Sequence, residues 1–341
     1  MAGAARAALE RAVAFLESVQ LPSGELPVHA SNDPTLAEGG TLDPSVFPTA
    51  LAAYCLSFWP GAGAIRQRAL GFLAAEMDRN GLWRHWTREH PHCAQLPPDL
   101  DDTSCASAAI ADPARLAGNR QIMLCNRRRD GLFLTWILPR LRLGCAPHRR
   151  ATWPQLRHAA TLFLFFRRTS ARPGDVDAVV NANALLHLGE FDGREKVVAF
   201  LLDLLRRGAE AECDKWYENP FAVRYFLSRA LAGEPEAAAL IARRAAAAAP
   251  ADAFERALAL CASLNGGIRP AEAEVEALLA LQSPDGSWPR AALYHGGRLR
   301  RAGGGFAPRH PDTPHWGSEA LTTAFCVEAL SRWGCEAPPS Q

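Results

Sequence analysis

The sequence has few long apolar runs, and the most membrane-like of them, Leu132 to Leu143, is short and holds Arg140 and Arg142, so it cannot span a bilayer. It could still lie on a membrane surface. A signal peptide is not expected either, because Arg6, Glu10, Arg11 and Glu17 break the apolar residues between Met1 and Gln20. Paired cysteines are missing too. The nine cysteines are scattered with no CxxC, and their odd number predicts reduced thiols rather than a disulfide framework. Nor does one sign of charge dominate, with 37 basic residues against 36 acidic ones, so no global field draws the chain to nucleic acid and any anion site must be local. These absences describe a cytoplasmic protein, with peripheral membrane contact and homodimerisation left open.

Strand-like alternation is nearly absent, whereas apolar residues at helical spacing run through Ala8 to Val19, Ile65 to Met77, Lys196 to Leu205 and Glu274 to Leu281. Alanine, leucine, glutamate and arginine fill these segments, so propensity agrees with periodicity and an all-α fold is predicted. The helices are of two alternating kinds. Arginine-bearing amphipathic helices begin near Ala4, Gly63, Trp153, Arg194, Glu236 and Pro270, and less charged ones near Asp43, Asp99, Asp175, Trp216, Ala251 and Gly317. Six outer and six inner helices in alternation predict a closed (α/α)6 barrel, or toroid, formed by residues 1–341 as one domain. An open solenoid is the structural alternative.

Three outer helices end alike. Phe15-Leu16-x3-Gln20-x3-Gly24-x-Leu26, Phe72-Leu73-x3-Met77-x3-Gly81-x-Trp83 and Leu278-x3-Gln282-x3-Gly286-x-Trp288 superpose without gaps. Glycine suits the left-handed residue that stops a helix, the glutamine amide can bond loose backbone groups, and tryptophan can pack over the turn. The pattern resembles the QW repeat of squalene-hopene cyclases and related terpene cyclases, and protein prenyltransferase β subunits carry looser relatives of it.

Residues Asp112 to Thr152 fit neither helix type and read as an insertion, a candidate lid that joins the run Arg127-Arg128-Arg129 to the apolar patch Leu132 to Leu138. A glycine-rich segment, Pro289 to His315, is placed over the same mouth.

The chemistry is expected at Asp99-Leu100-Asp101-Asp102, where an inner helix begins. Asp99 and Asp102 suit a capped helix start, as does Asp43 elsewhere. Capping does not explain the third carboxyl, and crowded carboxyls in an apolar cavity cannot all ionise, so one retains a proton as a general acid. Protonating an alkene needs such an acid and a dry, aromatic chamber to stabilise the resulting cation. Phe47, Tyr54, Trp216, Tyr217, Phe221, Tyr225, Trp316 and Phe325 are candidate walls. Asp-x-Asp-Asp-Thr also looks like the acid motif of class II terpene cyclases. That resemblance makes Asp101 the proton donor, with Asp99 and Asp102 holding and tuning it, in an isomerase acting on an isoprenoid chain.

A second cluster, Asp175, Asp177, Asn181 and Asn183, begins the next inner helix. Asp177 and Asn181 lie one turn apart, so both can face the cavity, and buried, satisfied amides are the alternative. Trp216, Tyr217, Phe221 and Trp316 complete the candidate substrate site. Protonation needs no cofactor, and Mg2+ enters if the substrate carries a diphosphate, for which Arg127 to Arg129 or Arg224 are candidate partners. Class II cyclases usually build their pocket between two toroids, and this chain has material for one. Two other readings stay open: another toroid enzyme, either a carbohydrate-active hydrolase or a zinc prenyltransferase using His92, Cys93, Cys105 and His315, and a non-catalytic lipid- or peptide-binding protein.

Overall fold

Straight-chain residues and alanine lose little freedom in a helix, and they fill most of this chain. The computed structural model describes residues 2–37, 40–140, 145–247, 249–301 and 305–334. Its helices are α1 (Ala2–Val19), α2 (Val46–Cys55), α3 (Gly63–Glu76), α4 (Leu100–Ile110), α5 (Pro113–Cys125), α6 (Ala146–Thr152), α7 (Ala159–Arg168), α8 (Ala178–Leu188), α9 (Arg194–Arg207), α10 (Pro220–Ala230), α11 (Pro235–Ala247), α12 (Ala253–Asn265), α13 (Glu272–Leu279) and α14 (Glu319–Gly334).

Helices α2, α4, α8, α10, α12 and α14 pack side by side in that order, and α14 returns to α2, closing an inner ring. The two layers bury differently because their sequences do. In α2 only Tyr54 escapes full burial, whereas α3 buries just Ile65, Ala69, Phe72 and Leu73, a single stripe at helical spacing. Helices α1, α3, α5, α9, α11 and α13 form the outer layer, and the chain is an (α/α)6 toroid as the alternation predicts.

One outer helix is not where the sequence put it. The third outer position belongs to α5, inside the segment read as an insertion, and not to a helix near Trp153. Asp112 caps α5 through the backbone amides of Ala114 and Arg115, but polar Asn119 in its buried stripe and central Gly118 hide the period. What breaks the alternation starts later: α6, a 3-10 turn at Trp153–His158, and α7. The expectation of reduced thiols is corrected for one pair, because Cys125 at the end of α5 is disulfide-bonded to Cys145 just before α6, while the other six cysteines among the described residues are free. That pairing is made by the tertiary fold, and a separation of 20 residues carries no signal of it.

The four turns that leave α1, α3, α5 and α13 are built alike. In each the glycine, Gly24, Gly81, Gly131 or Gly286, has positive φ, and the amide two residues later is held by an inner helix. Leu26 N donates to Thr49 Oγ1 (3.0 Å), Trp83 N to Thr103 Oγ1 (3.2 Å), Phe133 N to Asn181 Oδ1 (2.8 Å) and Trp288 N to Thr323 Oγ1 (3.1 Å). Gln20 and Gln282 do the same work: each Nε2 bonds its own turn glycine's carbonyl and a carbonyl of the next outer helix, Ile65 or Ala8. The turn after α5 is a fourth copy that the sequence concealed, with Arg127 where glutamine stands elsewhere, reaching the Asp192 carbonyl (2.6 Å).

A small antiparallel sheet, absent from the sequence reading, joins the two ends of the ring in the order β2-β1-β4-β3: β1 (His29–Ser31), β2 (Thr41–Leu42), β3 (Ala292–His295) and β4 (His315–Gly317).

Candidate active site

The turn tails and the starts of the inner helices meet at one end of the ring, around a cavity of about 890 Å³. That lies within the roughly 300–1,000 Å³ common for small-molecule sites. Phe47, Trp86, Trp136, Phe165, Trp216, Tyr217, Tyr294 and Trp316 line it. Trp86 and Trp136 each stand five residues after a turn glycine, in extended tails that bridge to Ser45 and Asp99 at the starts of α2 and α4.

Asp99, Asp101 and Asp102 all reach this cavity, in three different settings. Asp99 is the N-cap of α4 and accepts from the Asp102 amide (2.8 Å). Asp102 is buried beside it, with Oδ1 unpartnered, and burial together with the Asp99 charge holds its carboxyl well above the usual carboxylate range. Asp101 alone of the three keeps partial exposure. Its Oδ1 accepts from Asn183 Nδ2 and its Oδ2 from the Tyr217 hydroxyl, both at 2.7 Å. Burial pushes Asp101 up to about 7, and these two hydrogen bonds hold it below what burial alone would give.

Asn183 is itself fixed. Its Oδ1 accepts from Arg229 (2.7 Å), a buried guanidinium 4.7 Å from the rings of both Tyr54 and Tyr225. With the amide oxygen committed to a cation, its NH2 is left for Asp101.

Two further aspartates orient indoles. Asp177 Oδ2 accepts from Thr135 Oγ1 (2.7 Å) and Trp216 Nε1 (3.2 Å), and burial raises its carboxyl to about 7. Asp43 Oδ2 accepts from Trp86 Nε1 (3.0 Å) and Trp316 Nε1 (2.6 Å), so Asp43 anchors the cavity wall and is not the helix cap expected of it; the residue at that cap is Ser45.

The structure thus brings Asp99, Asp101, Asp102, Trp216, Tyr217 and Trp316 onto the cavity, with Asn183 touching the acid and Asp177 acting through Trp216. Asn181 and Phe221 are not in the wall. Asn181 spends both ends of its amide on the Phe133 backbone, the bonding that Thr49, Thr103 and Thr323 provide in the other turns. Phe221 lies 5.2 Å below the Arg224 guanidinium, which pairs with Glu210 rather than facing the cavity. Arg127 to Arg129 lie elsewhere, and Tyr54, Tyr225 and Phe325 pack deeper in the ring. Sequence reasoning missed Asp43, His85, Trp86, Trp136, Phe165 and Tyr294. The fourth turn repeat was the signal that would have placed Trp136 beside Trp86. Among the described residues no group of three or more His, Cys, Asp or Glu side chains is arranged to hold a metal ion, so His92, Cys93, Cys105 and His315 do not assemble.

Comparison with solved structures finds the same architecture. A protein from Actinoplanes superposes with a TM-score of 0.63 at 21% identity, covering 96% of this chain and 99% of the other. The type II terpene cyclase MstE from Scytonema, in its apo form, gives 0.65 at 17% identity over 98% and 99%. The likeness is one of fold. A variant of MstE with its substrate, geranylgeranyl dihydroxybenzoate, gives 0.64 at 15% identity over 98% of each chain. The ent-copalyl diphosphate synthase from Streptomyces platensis gives 0.51 at 21% identity over 85% of this chain and 50% of that one. No family model and no curated protein matches the sequence.

Proposed function

We infer that this chain is a class II-type terpene cyclase that starts ring closure by protonating an alkene of an isoprenoid chain. The observation that carries this reading is Asp101: an acid raised to about 7, open to an aromatic cavity, with a donor on each oxygen. The Asp101 O–H bond breaks as its proton forms a C–H bond with one alkene carbon, leaving a tertiary cation on the other. The carboxylate left behind is stabilised by Asn183 and Tyr217, because hydrogen bonds to a charged acceptor are about twice as strong as neutral ones. The cation is stabilised by the faces of Trp216, Trp316 and Tyr294, and internal alkenes attack it in turn until a proton is released, so substrate and product are isomers. Protonation uses only the acid and the alkene.

The type II terpene cyclase MstE, which has the same architecture and in one structure holds geranylgeranyl dihydroxybenzoate, supports an isoprenoid substrate. Arg167, Arg168, Arg172, Arg298 and Arg309 line the cavity, and of these Arg167 and Arg168, which form no salt bridge among the described residues, suit a substrate whose head is anionic. In this reading α7 and the glycine-rich segment cover the single toroid.

Asp101→Asn should leave the helical circular dichroism unchanged and lower conversion of geranylgeranyl diphosphate or a geranylgeranylated hydroxybenzoate at least about a thousandfold, since a neutral amide cannot supply the proton. Product formation by that variant at the parent rate would end the proposal.

A further inference from the structure

The segment between the fourth turn repeat and α8 carries a composition that the substrate cavity uses only in part, since Arg149, Arg150 and Arg157 do not line it. Residues 145–174 hold six arginines and two histidines without one aspartate or glutamate, in a chain whose charges balance overall. Among the described residues, Arg150, Arg157, Arg167, Arg168 and Arg172 form no salt bridge with a carboxylate.

The same segment leaves apolar surface in water. Eight large apolar side chains stand exposed among the described residues, and four of them, Trp153, Leu156, Phe163 and Leu164, belong to the 3-10 turn and α7. Phe163 is 62% exposed and Leu156 57%. A fifth, Leu299, lines the cavity. Helix α7 buries none of its residues fully: Phe165 and Phe166 turn inward onto Trp136, while Phe163 and Leu164 turn outward, each one turn from Arg167 or Arg168. Apolar side chains at the centre with arginines around them describe a helix lying in the plane of a membrane interface, its rings among the acyl chains and its guanidinium groups among the phosphates.

We propose that α7 and the preceding 3-10 turn dock this protein onto the surface of an anionic lipid bilayer. The charge complementarity selects that occupant. A second copy of this chain would bring arginines against arginines, and an uncharged surface would leave Arg150, Arg157, Arg167 and Arg168 without counterions. Phe165, Arg167 and Arg168 also line the cavity, so docking sets its mouth against the lipid, where a long apolar ligand would be found.

The full-length protein, sedimented with vesicles of phosphatidylcholine alone or containing phosphatidylglycerol, tests this without any turnover. Binding is expected to the anionic vesicles and to fall steeply with added salt. Arg150→Gln with Arg157→Gln should weaken it at least tenfold, each removed charge being worth about fivefold near the surface. Phe163→Ser with Leu164→Ser should abolish it, with thermal melting and conversion of detergent-dispersed substrate unchanged. Failure to bind either vesicle, binding indifferent to both pairs of substitutions, or a concentration-dependent dimer that Phe163→Ser with Leu164→Ser disperses would overturn the proposal.

Discussion

Three carboxyls lie within four residues at the start of α4, and their neighbours alone distinguish them. Asp99 takes backbone amides, Asp102 is closed in beside it, and Asp101 meets Asn183, Tyr217 and the cavity. The crowding was legible in the sequence, but the partner of Asp101 was not. Helical spacing put Asn181 a turn from Asp177, yet Asn183 reaches the acid, because the rotation of α8 is fixed by its packing and by the Phe133 clamp. Asp101 acts while protonated, so turnover should fall as pH rises through about 7. Both hydrogen bonds lower its pKa by favouring the anion. Asn183→Ala or Tyr217→Phe should therefore move the midpoint of the kcat profile upward by roughly one pH unit while lowering its plateau. A midpoint that stayed in place or moved down would show that these donors do not act on the proton donor.

At the scale of the element, the repeated turn decides both the outer ring and the wall of the cavity. Its pattern was readable where glutamine or tryptophan marked it, and unreadable after α5, where arginine and phenylalanine stand at those positions. The Arg127 to Arg129 run then looked like a ligand for phosphate when its first member is a turn residue. Left-handed φ at Gly286 (92°) and the Arg11 carbonyl against it leave no room for a Cβ, so Gly286→Ala should destabilise the fold by roughly 2 kcal/mol. Asn181→Ala strands the Phe133 amide and carbonyl and should cost about 2–3 kcal/mol. Chemical denaturation measures both. Asn181→Ala should also spare the pH midpoint that Asn183→Ala moves, separating a residue that holds the ring from one that touches the acid.

Over the whole molecule, alternation of two helix kinds predicted two layers and favoured a closed ring over an open solenoid, and the packing of α14 on α2 is what closes it. The sheet was beyond reach: strands of two to four residues leave no periodicity to read, and β1 and β4 pair across most of the chain. Ring closure rests on α14, which packs on α1, α2 and α12. A chain ended at Pro289 should accordingly lose its cooperative thermal transition and bind a dye for exposed apolar surface, and a sharp melt from it would show that the remaining helices stand alone.

The seam between α2 and α14 has a consequence in time as well as in space. About 260 residues separate the end of one helix from the start of the other. A ribosome adding roughly 5–20 residues per second takes between about a quarter of a minute and most of a minute to make them. Throughout that interval the flank of α2 meant for α14 stands uncovered on the nascent chain, a natural client surface for a chaperone.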